Sequence, residues 1–91
     1  MIILTYMNRY CAKVLISLKE DVKDVKALTI NKMLKNIGLE DKPDFKTGRF
    51  YSFCISCDSK INAQKKAEQI CLEVLSNPVV EKFEIFSLEL V

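Results

Sequence analysis

Leu75-Ser76-Asn77-Pro78-Val79-Val80-Glu81-Lys82-Phe83-Glu84-Ile85-Phe86-Ser87-Leu88-Glu89-Leu90 holds a helix end, a turn and a strand. Pro78 cannot continue a helix, and it pushes Asn77 out of the α region, so a helix stops at Ser76-Asn77-Pro78. A strand follows. With unbroken alternation, Phe83 and Ile85 face one way and Phe86, Leu88 and Leu90 face the other. A small domain rarely covers both faces of its last strand. The tail residues Phe83, Ile85, Phe86, Leu88 and Leu90 are therefore expected to form a self-association surface.

Working back towards the start, Tyr10 to Leu18 reads as a strand, with Ala12, Val14, Ile16 and Leu18 on one parity and Cys11, Leu15 and Ser17 on the other. Asp21 or Asp24 can cap a following helix, whose inner face is Ala27, Ile30, Met33, Leu34 and Ile37. Gly38 supplies the left-handed residue that ends it. A polar connector runs from Leu39 to Pro43. A pair of strands is predicted around Lys46-Thr47-Gly48-Arg49, with Gly48 at a bulge or tight bend. In the second of these strands Tyr51, Phe53, Ile55 and Cys57 take the core-facing parity. After Asp58-Ser59-Lys60 a second helix presents Ala63, Ala67, Ile70, Cys71, Val74 and Leu75. The order is β-α-β-β-α-β, an α+β, ferredoxin-like plan with an antiparallel sheet and two helices on one face. It forms one domain over residues 10–91, preceded by a short extension, 1–9, in which Met7 offers an alternative start.

Composition narrows the function classes. The chain has 91 residues, 49% hydrophobic and 29% charged, which suits a globular domain and not a disordered one. Net charge is +2 with acids and bases interleaved, so no stripe tracks phosphates and nucleic acid is not expected as a partner. Met1 to Met7 is apolar but much shorter than the roughly 20 residues of a membrane span, and it lacks the charged start of a signal peptide. A cytoplasmic protein with no membrane contact is expected, and its four cysteines are expected to be free thiols.

There is no histidine, hence no imidazole base, and no glycine-rich phosphate loop. No catalytic and no metal residue is assigned. Cys54-Ile55-Ser56-Cys57 has C-x-x-C spacing, but inside a strand its two sulfurs point to opposite faces. Glu20, Asp21 and Asp24 sit where they stabilise a helix start without any chemistry. An acylphosphatase would need a phosphate cradle with an Arg after the first strand, and Leu18-Lys19-Glu20-Asp21 offers neither. Tyr51 and Phe53 lie on the core parity, not on an exposed RNA-stacking face.

Three segments together resemble one family. Val14-Leu15-Ile16-Ser17-Leu18-Lys19-Glu20-Asp21-Val22 resembles the opening strand and Leu-Lys turn of PurS, the small subunit of phosphoribosylformylglycinamidine synthase. Phe45-Lys46-Thr47-Gly48-Arg49 resembles its Val-Arg-x-Gly-Lys segment. Leu75-Ser76-Asn77-Pro78-Val79-Val80-Glu81-Lys82-Phe83 resembles its Leu-x-Asn-x-Val-Ile-Glu-x-Tyr ending. The usual Asp-Pro-x-Gly helix start is Asp24-Val25-Lys26-Ala27 here, and a glutamate common on the following strand is Ser52.

The resemblance implies a non-catalytic subunit of a purine-biosynthetic ligase. In such a split enzyme a glutaminase subunit (PurQ) releases ammonia from glutamine. A large synthetase subunit (PurL), which binds ATP and Mg²⁺, activates the formylglycinamide ribonucleotide for attack by that ammonia. The PurS-like subunit needs no cofactor of its own, forms a homodimer or homotetramer, and bridges the two larger subunits to support ammonia transfer. Lys19, Gly48, Arg49, Asn77 and Glu81 are the expected turn or partner-contact residues. A second class fits the same element order: a regulatory module that binds a small metabolite at a dimer interface.

Overall fold

The computed structural model describes residues 7–39 and 45–91. Strand β1 (Asn8–Leu18) is central in a three-stranded antiparallel sheet, with β2 (Gly48–Cys57) on one side and β3 (Glu81–Leu90) on the other. Helix α1 (Val25–Asn36) joins β1 to β2, and helix α2 (Lys60–Ile70) with a π-helical turn at Cys71–Leu75 joins β2 to β3. The α+β class holds. One strand, not a pair, follows the connector among the described residues. Phe45, Lys46 and Thr47 are irregular chain, and the rest of the expected extra strand lies outside the described residues.

The alternation in β1 is expressed as expected. Tyr10, Ala12, Val14 and Ile16 are buried on the inner face, whereas Lys13 and Leu15 face out. Ser59 caps α2 by accepting a hydrogen bond from Asn62 N–H at 3.2 Å. Ala63, Ala67 and Cys71 then lie against the inner sheet face with no exposure, small enough to let the helix axis come close. The π-helical turn changes the end of this stripe. Ser76 N–H closes onto the Cys71 carbonyl at 2.9 Å, a wider ring than the α-helix uses. The added residue rotates the next side chains, so Val74, expected on the inner face, is exposed, while Leu75 stays half-buried.

The two-faced reading of the tail is corrected by a β-bulge. Val14 pairs with Ile85, but Lys13 pairs with Ser87, so Phe86 is an extra residue in β3. An extra residue resets the alternation. Leu88 therefore comes opposite Ala12 and Leu90 opposite Tyr10, on the same inner face as Phe83 and Ile85. Leu88 is buried in the chain's own core, and Phe83 and Ile85 pack half-buried against it. Only Phe86 and Leu90 of the tail remain exposed, and Phe86 lies on the outer face with its ring 5.7 Å from that of Phe50.

Helix α1 is capped by Asp24, which accepts from Ala27 N–H at 3.0 Å, and Gly38 follows its end with φ +83°. Its only buried residue is Ala27, and Val25, Leu28, Met33 and Ile37 are exposed. Asp24, just before the helix, bonds Thr47, just before β2, and α1 does not pack along the sheet as α2 does. The described chain is accordingly elongated. Its radius of gyration is 18.4 Å, against about 12 Å for a compact domain of this length.

Candidate partner-contact site

Lys19, Gly48, Arg49, Asn77 and Glu81 come together at one end of the sheet, where β1 ends, β2 starts and β3 starts. The turn before β3 is built first. Asn77 carbonyl oxygen accepts from Val80 N–H at 3.1 Å and from Glu81 N–H at 2.7 Å, and the Asn77 side chain accepts from Val79 N–H at 3.2 Å. Such side-chain-to-backbone bonding is what Asn supplies at a turn, and Pro78 fixes the backbone within it. Lys19 N–H closes the corner by donating to the Val80 carbonyl at 2.9 Å. The placed group of Lys19 is thus its backbone.

Arg49 and Glu81 tie β2 to β3 across this end. The guanidinium meets the carboxylate at two points, each 3.0 Å, and Arg49 Nη2 also donates to the Leu75 carbonyl at 2.8 Å. The fork geometry suits a planar guanidinium and not a lysine ammonium. Glu81 in turn accepts from Asn77 N–H at 2.8 Å. That backbone donor and then Arg49 hold the Glu81 carboxyl below its ordinary range, and the hydrogen bond to Glu81 raises the Arg49 guanidinium further. Glu81 is 12% exposed and Arg49 46% exposed, so the acid is enclosed while the base keeps one side to solvent.

Gly48 has a role different from the expected bend. It pairs with Ser17 in regular ladder. A Cβ here would stand 2.7 Å from the Ile16 carbonyl oxygen and 3.2 Å from Leu15 Cδ1. Glycine is required by this close approach, not by a turn.

Two carboxylates expected only to stabilise a helix start, Asp24 and Glu20, also tie this end of the fold together. Asp24 accepts from Thr47 N–H at 2.8 Å and from the Thr47 hydroxyl at 2.9 Å, so one carboxylate caps α1 and pins the entry to β2. The Ala27 and Thr47 N–H groups lower its carboxyl. Glu20 bridges Lys82 at 2.8 Å and Lys46 at 3.3 Å, and these lysines lower it as well. The Phe45–Arg49 motif contains Thr47, which could have pointed to Asp24. Nothing in sequence links Glu20 to Lys82, which is 62 positions away. Between the Asp24–Thr47 clasp and the Arg49–Glu81 pair lies a cleft of about 280 Å³, bordered also by Lys23 and Lys26. Among the described residues no group of His, Cys, Asp or Glu is arranged to hold a metal.

A family model for PurS, phosphoribosylformylglycinamidine (FGAM) synthase, matches residues 11–89. The chain belongs to the PurS family. Among its relatives is phosphoribosylformylglycinamidine synthase subunit PurS of Archaeoglobus fulgidus, 30% identical over 81% of this chain and 92% of that one. The fold matches the crystal structure of Methanocaldococcus jannaschii PurS, with TM-score 0.78, 27% identity, and coverage of 90% of this chain and 98% of that one. Thermus thermophilus PurS matches with TM-score 0.75 and 26% identity, over 89% and 95% of the two chains. Two segments that carry the PurS resemblance, around Gly48-Arg49 and around Asn77 to Glu81, are the two that the Arg49–Glu81 pair joins. The missing Asp-Pro-x-Gly start does not cost the helix its cap, because Asp24 supplies it. Among the described residues no helix is long and apolar enough to cross a membrane.

Proposed function

We propose that this chain is the structural, non-catalytic subunit of phosphoribosylformylglycinamidine synthase in purine biosynthesis. It joins the large synthetase subunit (PurL) to the glutaminase subunit (PurQ) and supports passage of ammonia between them. The observation that carries this reading is the PurS match across residues 11–89. The relative from M. jannaschii is one of the subunits of formylglycinamide ribonucleotide amidotransferase. The site geometry agrees, since Arg49 and Glu81 bond to each other and to turn backbone and so shape a surface.

In this role the subunit acts in the cytoplasm without a cofactor of its own, and ATP and Mg²⁺ belong to the synthetase. The corner formed by Lys19, Gly48, Arg49, Asn77 and Glu81 serves as a partner contact. A homodimer or homotetramer covers apolar side chains left open on Phe86, Leu90 and α1.

Reconstitution tests the reading. With its synthetase and glutaminase, glutamine, ATP and the ribonucleotide substrate, adding this chain restores glutamine-dependent amidine formation. Unchanged glutamine-dependent turnover when the chain is omitted refutes the bridging role. Saturable metabolite binding by the chain alone, with no effect in that assay, identifies a regulatory module instead.

A further inference from the structure

The four cysteines divide into two pairs with different surroundings. Cys57 and Cys71 are free and buried in the core beneath α2. Cys11 and Cys54 face each other across β1 and β2 and are joined by a disulfide, which corrects the expectation of free thiols throughout. This bond lies on the outer face, with Cys54 exposed and Cys11 half-buried. Its neighbours along the two strands on that face are Arg9, Lys13, Ser52 and Ser56, all exposed. On β3, Glu89 stands opposite Cys11 on the same face, so the charges around the bond, Arg9, Lys13 and Glu89, are mixed.

Two features separate this disulfide from a bond that only completes a core. The β1–β2 ladder continues on both sides of it, from Asn8 opposite Cys57 to Ser17 opposite Gly48, so hydrogen bonding already sets the register. Neither core cysteine can resolve it internally, because Cys57 points to the opposite face of β2 and Cys71 lies under the sheet with it. Exchange therefore proceeds with a thiol from solution. Yet the bond spans 43 positions, and the segment it closes carries α1, the Asp24–Thr47 clasp and Arg49.

We propose that Cys11–Cys54 is a reversible thiol–disulfide latch on the outer sheet face, opened by a soluble dithiol and closed by a low-molecular-weight disulfide. An incoming thiolate attacks Cys54 Sγ, breaks the bond to Cys11, and leaves Cys11 as a thiolate that takes up a proton. The second thiol of the same molecule then displaces Cys54 as a thiolate, which is also protonated. The dithiol has become a disulfide and given up two electrons, and the protein pair has gained them. Glutathione disulfide reverses the sequence through a mixed disulfide. Opening frees the α1-bearing segment from its covalent closure while the strand ladder remains. The latch is independent of the bridging role, because its readouts are thiols and stability.

The test uses the full chain. Alkylation under denaturing conditions finds two free thiols in the oxidised protein and four after incubation of the native protein with dithiothreitol. Glutathione disulfide then returns the count to two. Reduction lowers the folded-to-unfolded ratio by about a thousandfold, the loop-closure effect expected for this span, and Tm by about 20 °C. Cys11→Ser and Cys54→Ser remove the response of Tm to dithiothreitol. Four thiols under all conditions, a bond mapped to another pair, or a disulfide reduced only after unfolding would each overturn the latch.

Discussion

Leu88→Ala and Phe86→Ala, compared side by side, test the bulge that decides what the tail does. Leu88 is 8% exposed and opposite Ala12, in the core. Truncation removes three carbons at about 0.8 kcal/mol each and leaves a partly collapsed cavity, for a loss of about 3 kcal/mol. Phe86 is 52% exposed and keeps one tilted contact with Phe50. Its truncation costs about 1 kcal/mol. The assay is urea unfolding followed by circular dichroism, at protein concentrations low enough that the midpoint no longer depends on concentration, so that self-association does not enter. Unchanged m-values make the midpoint shifts readable as stability. Leu88→Ala shifts the midpoint about three times as far as Phe86→Ala. In an unbroken strand the two residues share a face. Equal losses, or a larger loss at Phe86, would refute the bulge and restore the two-faced tail.

The partner-contact end yields further expectations. Gly48→Ala drives a methyl group into the Ile16 carbonyl and costs about 1–3 kcal/mol in the same unfolding assay. Gly38→Ala meets no atom within 4 Å but must hold φ +83°, and it costs about 1 kcal/mol. Glu81→Gln keeps an acceptor for Asn77 N–H but loses the charged fork, and with Arg49 half in solvent the loss is about 1 kcal/mol. It also changes the acid limb of stability. Folding lowers the Glu81 carboxyl below its ordinary value of 4.5. The unfolded chain therefore binds more protons in that range, and the stabilisation is whole above 4.5 and lost as pH falls through the lower folded value. Thermal melts from pH 6 down to about pH 3 show a shallower decline for Glu81→Gln than for the parent chain. An identical slope places the acid sensitivity elsewhere.

What could be read from sequence follows from the range of the interactions. Asp24 as a cap, Gly38 as a left-handed stop and Pro78 in a turn each act over a few residues, and each stands where local chemistry puts it. The corner of Lys19, Gly48, Arg49, Asn77 and Glu81 was legible only through its resemblance to PurS segments, and what those residues do there was not. Gly48 reads as a bend, because nothing in one strand reveals that a neighbouring carbonyl stands 2.7 Å from its missing Cβ. The same limit hides the pairing of Cys11 with Cys54 and of Glu20 with Lys82, which exist only once strand register is set.

The tail shows why this limit matters for function. A parity break at Phe86 has two physical solutions: a regular strand that exposes a second apolar face, or a bulge that returns the later residues to the first. The strand's own residues are the same in both. What selects the bulge is β1, where Tyr10, Ala12, Val14 and Ile16 keep strict alternation and leave room on one face for Phe83, Ile85, Leu88 and Leu90 together. Burying Leu88 with its neighbours also removes most of the surface that the tail alone would have offered for assembly. Among the described residues, further exposed apolar side chains stand on α1, at Val25, Leu28 and Met33, and at Ile37 just past its end. A charged substitution there, Met33→Glu, should therefore weaken self-association while leaving the dilute chain's unfolding midpoint unchanged. Sedimentation of the variant as the same assembly as the parent would return the burden to Phe86 and Leu90.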